Sequence, residues 1–278
     1  MTADALPGSV PAPTEHHAPH HRAYVLDLHG KPGAPLALPL AFSGPVRVDL
    51  IRRAVVASQS LRIQPHGTSP TAGVRHSVEW SGKGHGVSRT PRLMDSMRGA
   101  QAPNTVGGRP THPPRVNRIW AKKINEKERQ LAFHAALAAT REDSLCAARG
   151  HAVPRGLHLP VVMEDGLEGV GSAAEARSLL ARLKLWEDVE RAKAKTHVRA
   201  GRGKRRGRRL HVPVALLIVT SAPGQARGFR NLPGVDVVNV QRLGTEDLAP
   251  GGTPGRLTLF SQAALEALRT RLEAGVAA

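Results

Sequence analysis

Two stretches of this chain carry side chains able to do chemistry, and in both cases it is the chemistry of phosphate. Between Arg62 and Lys123 the basic residues are Arg62, Arg75, Lys83, Arg89, Arg92, Arg98, Arg109, Arg115, Arg118, Lys122 and Lys123, opposed only by Glu79 and Asp95. Residues 193–211 hold Lys193, Lys195, Arg199, Arg202, Lys204, Arg205, Arg206, Arg208 and Arg209, and no acid occurs between Glu190 and Asp236. The guanidinium fork matches two phosphate oxygens at once. Both stretches are laid on glycine-rich backbone, and the first is also rich in proline. Glycine lets a main chain approach a phosphate closely, and proline limits the conformations that must be frozen on binding. Such backbone builds no core of its own, so the pattern is that of an extension threaded into a folded polyanion.

Other chemistries fit the sequence poorly. Gly82, Gly84 and Gly86 are spaced two and two, which matches neither the dinucleotide fingerprint nor the phosphate loop of nucleotide hydrolases, and no strand is predicted before them. "GRGKRRG" lacks the apolar helix that must follow such a loop. The acid pairs Glu164–Asp165 and Glu187–Asp188 are adjacent in sequence, so on regular structure their side chains diverge. They read as solvated turn or helix-start charges rather than acid/base couples. Cys146 sits among alanines, the setting of a buried, inert thiol. The cluster His16, His17, His20 and His21 has no carboxylate scaffold to fix it and reads as part of a flexible tail over residues 1–21. No G-x-S-x-G elbow or H-E-x-x-H helix occurs. The expectation is no catalytic residue, no metal, no cofactor and no small-molecule substrate: not an enzyme. The rival, an α/β enzyme with a basic lid, would need a strand-end acid, histidine or phosphate loop in a common pocket.

The whole chain agrees with a polyanionic partner. Its 278 residues carry a net charge of +18, which favours nucleic acid first and an anionic membrane surface second. No apolar run reaches the ~20 residues that span a bilayer, and "MTADALPGSV" lacks the pattern of a secretory signal. One cysteine excludes an internal disulfide and a cysteine-based zinc finger. The expectation is a soluble intracellular protein with no membrane partner. Aromatic residues make up 3%, and Tyr24, Phe42, Phe133 and Phe260 lie in apolar contexts that suit a core. Recognition should therefore rest on phosphate and shape rather than on base stacking.

The positioning elements alternate. "RAYVLDL" reads as a strand. "SGPVRVDLIRRAVVASQS" reads as a helix capped by Ser43, with Pro45 in its first turn and Val46, Leu50, Ala54 and Val55 on one face. Regularity then stops from 62 to 123. It resumes at "NEKERQLAFHAALAAT", where Asn125 and Glu128 resemble a capping box and Leu131, Ala135 and Ala138 trace a face. "DSLCAAR" is a short helix ending at Gly150. "LPVVMED" is a strand, and "SAAEARSLLARLKLW" a helix with Ser172 and Glu175 as its box. "VPVALLIVTS" is an unbroken apolar run of the kind buried on both faces of a parallel sheet. "GVDVVNV" is a further strand, "TEDLAPGG" a turn-rich connection, and "GRLTLF" a last strand before a helix capped by Ser261. The order predicts an α/β fold: a three-layer, mainly parallel sheet with flanking helices over 22–278, plus a long basic extended loop.

These stretches resemble the large-subunit ribosomal protein L-four family in its archaeal and eukaryotic branch. The resemblance rests on "PVRVDLIRRAVVASQS", "APNTVGGRPTHPPR", "KKINEKERQLAFHAALAAT", "VPVALLIVTS" with "FRNLPGVDV", and "TEDLAPGGTPGRLTLFSQAALEAL", from about Tyr24 to the C-terminus. It implies a globular domain on the solvent side of the large subunit. From that domain residues 62–123 would reach through ribosomal RNA to the wall of the nascent-peptide exit tunnel, beside ribosomal protein L-twenty-two.

The resemblance places Lys83, His85, Arg89, Arg92, Arg98, Arg109 and His112 in that arm. It makes Met94, Asp95, Ser96, Met97 and Arg98 the tunnel-lining candidates, with the nascent peptide as their neighbour, and 193–211 a second RNA-contacting insertion. Two features depart from the family: the His-rich segment has no counterpart, and Asp95 puts an acid in a tip usually basic and small. The implied role is structural, in a cytoplasmic ribosome and in early subunit assembly. The alternative is a free RNA-binding regulator of its own operon messenger, a second task of the bacterial branch.

Overall fold

The structure, a computed structural model, describes residues 22–154 and 156–276. The four clustered histidines and the predicted tail lie outside the described residues. In chain order the elements are β1 (Arg22–Leu26), β2 (Pro32–Ala37), α1 (Val48–Leu61), β3 (Val78–Trp80), β4 (Pro91–Leu93), α2 (Glu126–Ala139), α3 (Asp143–Arg149), β5 (Val161–Met163) and α4 (Ala173–Arg182). There follow α5 (Trp186–Ala194), β6 (His197–Val198), β7 (Leu210–His211), β8 (Leu217–Thr220), β9 (Asp236–Asn239), α6 (Thr245–Leu248), β10 (Thr258–Ser261) and α7 (Gln262–Val276). The chain divides into two compact units, residues 57–123 and the remainder.

In the larger unit six strands form one sheet in the order β2-β1-β5-β10-β8-β9. Only the β1–β2 pair is antiparallel. The apolar run that contains β8 explains the sheet's depth. Leu217 and Val219 join one buried cluster with Val162 and Phe260, alongside Ile51, Val55, Ala136, Leu137 and Leu265 from α1, α2 and α7. Leu216 and Ile218 join the other, with Val161, Met163, Leu259 and residues of α3, α4 and α5. Alternate residues of each central strand thus enter opposite clusters, and helices cover both faces. The predicted mainly parallel α/β sheet with flanking helices is what folds.

Local signals fared unevenly. Gly150 ends α3 in the left-handed region (φ 96°), where its N–H reaches the carbonyl of Ala147. Ser261 Oγ accepts from the N–H of Ala264 and caps α7. Ser172 caps α4 through the N–H of Ala174. The box expected at Asn125 does not form: Asn125 makes no side-chain cap, and Glu128 instead accepts from Arg53 at 2.7 Å. The first helix begins at Val48, five residues beyond Ser43, with Asp49 in its first turn bonded to Arg47. Leu131 is exposed, because the buried face of α2 is carried by alanines, Phe133 and Leu137. Tyr24 is 49% exposed, against its expected place in the core, whereas Phe42, Phe133 and Phe260 are buried.

The largest correction concerns Asp188, which starts a helix but is fully buried rather than solvated. It accepts from His151 Nδ1 (3.0 Å), Arg191 Nε (2.9 Å) and the N–H of Ala152 (3.0 Å). Burial pushes its pKa up, but the hydrogen bonds from His151, Arg191 and Ala152 outweigh this and hold it below the ordinary carboxylate range. Cys146 is buried as expected, and burial pushes its thiol up to about 12, which leaves no thiolate near neutrality.

Two expectations follow. Asp188→Ala strands a buried histidine and a guanidinium, and urea unfolding should show a loss of about 3–5 kcal/mol. Because the folded pKa lies below the unfolded one, the stability contributed by the Asp188 charge is complete above the ordinary carboxylate pKa of about 4. It is lost as pH falls through the folded value, so the gap between wild type and Asp188→Asn should narrow on acidification; a gap independent of acid would refute the assignment. Within 57–123 only Ala57, Ser60, Pro91 and Ala100 are buried. Replacing residues 75–111 with a short glycine–serine linker should therefore leave the cooperative melting of the sheet unit intact, as read by circular dichroism.

Candidate nucleic-acid interface

The unit over residues 57–123 carries eleven basic residues and two acids, a net +9 out of the chain's +18. It is more ordered than its composition predicts. The short strands β3 and β4 pair antiparallel, with Glu79 opposite Arg92 and Trp80 opposite Pro91, and Arg92 bridges on to Gly99. Strands of three residues carry too little alternation to be read from sequence.

The outgoing and returning legs of this unit are joined by hydrogen bonds to the main chain and by one ring stack rather than by a buried apolar core. The N–H of Thr68 reaches the carbonyl of Pro114 at 3.1 Å, and Gln101 Nε2 donates to the carbonyls of Val74 and His76. Gly73 (φ 78°) lies so close to the returning leg that a Cβ there would stand 2.5 Å from the nitrogen of Arg109. Near the end of the unit His66 stacks on Trp120 at 4.8 Å, and the Arg118 guanidinium lies 4.4 Å from the same ring.

This bonding leaves the cations outward. Arg62, Arg75, Lys83, His85, Arg89, Arg98, Arg109, His112, Arg115, Arg118, Lys122 and Lys123 are all exposed. Arg92 alone is half-buried: its Nη1 donates to the carbonyl of Met97 and its Nη2 to Ser88, which fixes the turn that follows β4. Met94, Asp95, Ser96, Met97 and Arg98 make up that turn and are exposed. It is closed by the N–H of Leu93 on the carbonyl of Arg98 at 2.9 Å. Three buried polar atoms have no hydrogen-bond partner among the described residues: Ser81 Oγ, Arg92 Nε and Trp120 Nε1. All three belong to this unit.

The second basic stretch is a hairpin of the larger unit. β6 and β7 pair His197 with His211 and Val198 with Leu210, and the two imidazoles stack at 5.1 Å. The N–H of Arg199 donates to the carbonyl of Arg209 at 2.8 Å, and a 3-10 turn spans Arg202–Arg205. Lys193, Lys195, Arg199, Arg202, Lys204, Arg205, Arg206, Arg208 and Arg209 are all exposed. Seven of these cations lie on the hairpin itself and two at the end of the helix before it; they repel one another, and a polyanion relieves that repulsion.

The acids of the larger unit serve its architecture. Beyond the C-terminal ends of β8 and β10, where α/β enzymes commonly bind substrates, Glu168 accepts from the N–H and hydroxyl of Ser221 and from the Ser261 hydroxyl. This carboxylate, absent from the sequence reading, is a staple between strand ends. A cavity of about 280 Å³ beside β1 and β2 exposes Asp27 and Glu164. Both are occupied: Glu164 accepts from the N–H of Leu28, and Asp27 from those of Lys31 and His29. The Lys31 bond helps hold Asp27 below the usual carboxylate range. Asp165 accepts from the N–H of Ala263 at the start of α7. No cluster of three or more metal-ligating side chains occurs among the described residues. No described helix is long and apolar enough to cross a membrane.

Comparison with known proteins bears on the same residues. The sequence profile of the Ribosomal protein L4/L1 family matches residues 36–271. The chain is 46% identical over 256 residues to the large ribosomal subunit protein uL4 of Methanopyrus kandleri, covering 90% of this chain and 98% of that protein. It is 48% identical over 259 residues to the uL4 of Pyrobaculum aerophilum, covering 90% and 91%. Against the uL4 of Methanothrix thermoacetophila it is 45% identical over 251 residues, covering 90% and 99%. The two basic surfaces and the strands β5, β8, β9 and β10 lie within the matched span, and the chain belongs to the ribosomal protein L4/L1 family.

Proposed function

We propose that this chain is a structural constituent of the large ribosomal subunit, working in the cytoplasm as a ribosomal RNA-binding protein. Its arginines and lysines neutralise phosphates of large-subunit ribosomal RNA and help to bring RNA helices together early in assembly. Residues 62–123 run through the RNA to the wall of the nascent-peptide exit tunnel. There the turn Met94–Arg98 faces the peptide, and ribosomal protein L-twenty-two is a neighbour. The basic segment over 193–211 makes the second set of RNA contacts. The relatives named above are large ribosomal subunit proteins, and their similarity runs through both segments.

One observation carries the reading. Residues 57–123 hold a net +9 and bury almost no apolar side chain, while their legs are tied by hydrogen bonds to the main chain. An isolated domain gains nothing from such a unit. RNA supplies the counter-charge and the surface that these exposed side chains pack against, and counterion release favours the contact.

The decisive measurement is sedimentation of the native protein from lysate through a sucrose gradient, before and after a high-salt wash. Retention with the large subunit is expected, because a threaded arm cannot leave a folded RNA that screening salt merely weakens. Release by the wash, or migration free of ribosomes, defeats the structural role and favours a regulator bound to its own messenger. For the purified chain, affinity for a large-subunit RNA fragment should fall by about 10³–10⁵ between 50 and 200 mM salt if roughly six to ten phosphates are contacted. A flat dependence removes the electrostatic account.

A further inference from the structure

Scarce aromatic residues favour recognition through phosphate contacts. One ring departs from that pattern. Of the three tryptophans, Trp120 is taken up by His66 and Arg118. Trp186 lies under Arg177 and donates its Nε1–H to Glu190. Trp80 is 68% exposed, and no ring or cation among the described residues stacks on it.

Exposing an indole costs hydrophobic stabilisation, and here nothing local offsets it. Its mounting is nonetheless firm. Trp80 ends β3, directly opposite Pro91, and shares its face of the hairpin with Val78 and Leu93. Pro91 is buried and Val78 and Leu93 are half-buried, so the ring stands on an apolar strip. The other face of the ladder carries Glu79 and Arg92. Lys83 and Arg75 lie within five residues of Trp80 and are exposed. Two of the unit's unpartnered buried polar atoms, Ser81 Oγ and Arg92 Nε, belong to the residue after Trp80 and to the residue after its cross-strand partner.

We propose that Trp80 is a stacking platform for one unpaired nucleobase of the bound RNA, held by the β3–β4 hairpin and flanked by the cations that take the adjoining phosphates. The site rests on the RNA-binding reading above and adds to it a contact with a base. A π face accepts any base, so the ligand class is an extruded or single-stranded nucleotide of either purine or pyrimidine type. The surrounding charge favours this occupant over an apolar protein surface, which would leave the same cations uncompensated.

The test separates stacking from charge. Full-length wild type and Trp80→Phe are titrated with single-stranded oligoadenylate and with heparin, a polyanion without bases, while indole fluorescence is followed. Oligoadenylate should quench wild type strongly and the variant much less; heparin should leave the Trp80 share of the emission unquenched. In parallel, Trp80→Ala should weaken binding of large-subunit RNA by about ten- to a hundredfold without changing the slope of log K against log salt. Lys83→Ala should lower that slope by about one.

Equal quenching by heparin, an unchanged RNA affinity in Trp80→Ala, or a changed salt slope in that variant overturns the stacking site and leaves phosphate recognition standing. If neither wild type nor variant binds large-subunit RNA, the functional reading itself falls and the site with it. Burial of Trp80 by another subunit protein, seen as a blue shift with that protein and none with RNA, also overturns the proposal.

Discussion

The buried guanidinium of Arg256 sets the terms on which this fold admits charge. It is 1% exposed, and each of its three nitrogens donates a hydrogen bond: Nε to the carbonyl of Ala215 (3.0 Å), Nη1 to that of Asp247 (2.8 Å) and Nη2 to the Asp236 carboxylate (2.5 Å). Those partners precede β8, lie in α6 and begin β9, while Arg256 itself leads into β10. One cation therefore aligns the starts of three parallel strands. At their other ends the Glu168 carboxylate does the converse, binding Ser221 after β8 and Ser261 at the end of β10. A sheet buried on both faces tolerates charge only where it is paired and hydrogen-bonded, and these two sites meet that condition.

The remaining cations must then be carried outside the core. The chain has 40 lysines and arginines against 22 acids, and many of the acids are engaged in holding the larger unit together. Asp27, Glu164, Asp165, Glu168, Asp188 and Asp247 all accept hydrogen bonds from the main chain. What is left over is positive and is gathered on residues 57–123 and on the β6–β7 hairpin, where few side chains need burying. Separation of a rigid, internally neutralised sheet from basic extensions follows from desolvation, and it suits a protein whose partner is a folded RNA.

Much of the sheet was legible because its signals are local or periodic. The β8 segment is a continuous apolar run, Gly150 terminates a helix, and Ser261 caps one, each visible within a few residues. The misses have one physical cause: they depend on contacts distant in sequence. Asp188 is buried because His151 lies 37 residues away in a fold the sequence does not display. Glu128 abandons its capping role for Arg53, 75 residues away. The basic surfaces were legible by charge alone, but the hairpin that mounts Trp80 was not, since three-residue strands among glycines and prolines carry no usable period. The inference that scarce aromatics mean no stacking counted residues, whereas exposure of a single ring decides the matter.

The outer strand β2 has a bearing on the protein's life before its partner arrives. It closes one edge of the sheet, is exposed along nearly its whole length, and begins Pro32-Gly33-Ala34-Pro35. Two of its six residues have no N–H, so a second copy meets an incomplete row of donors where an open edge would otherwise template self-association. A freshly made chain therefore offers its neighbours a poorer template along the β2 edge, and its resistance to zipping there rests on two proline rings rather than on charge.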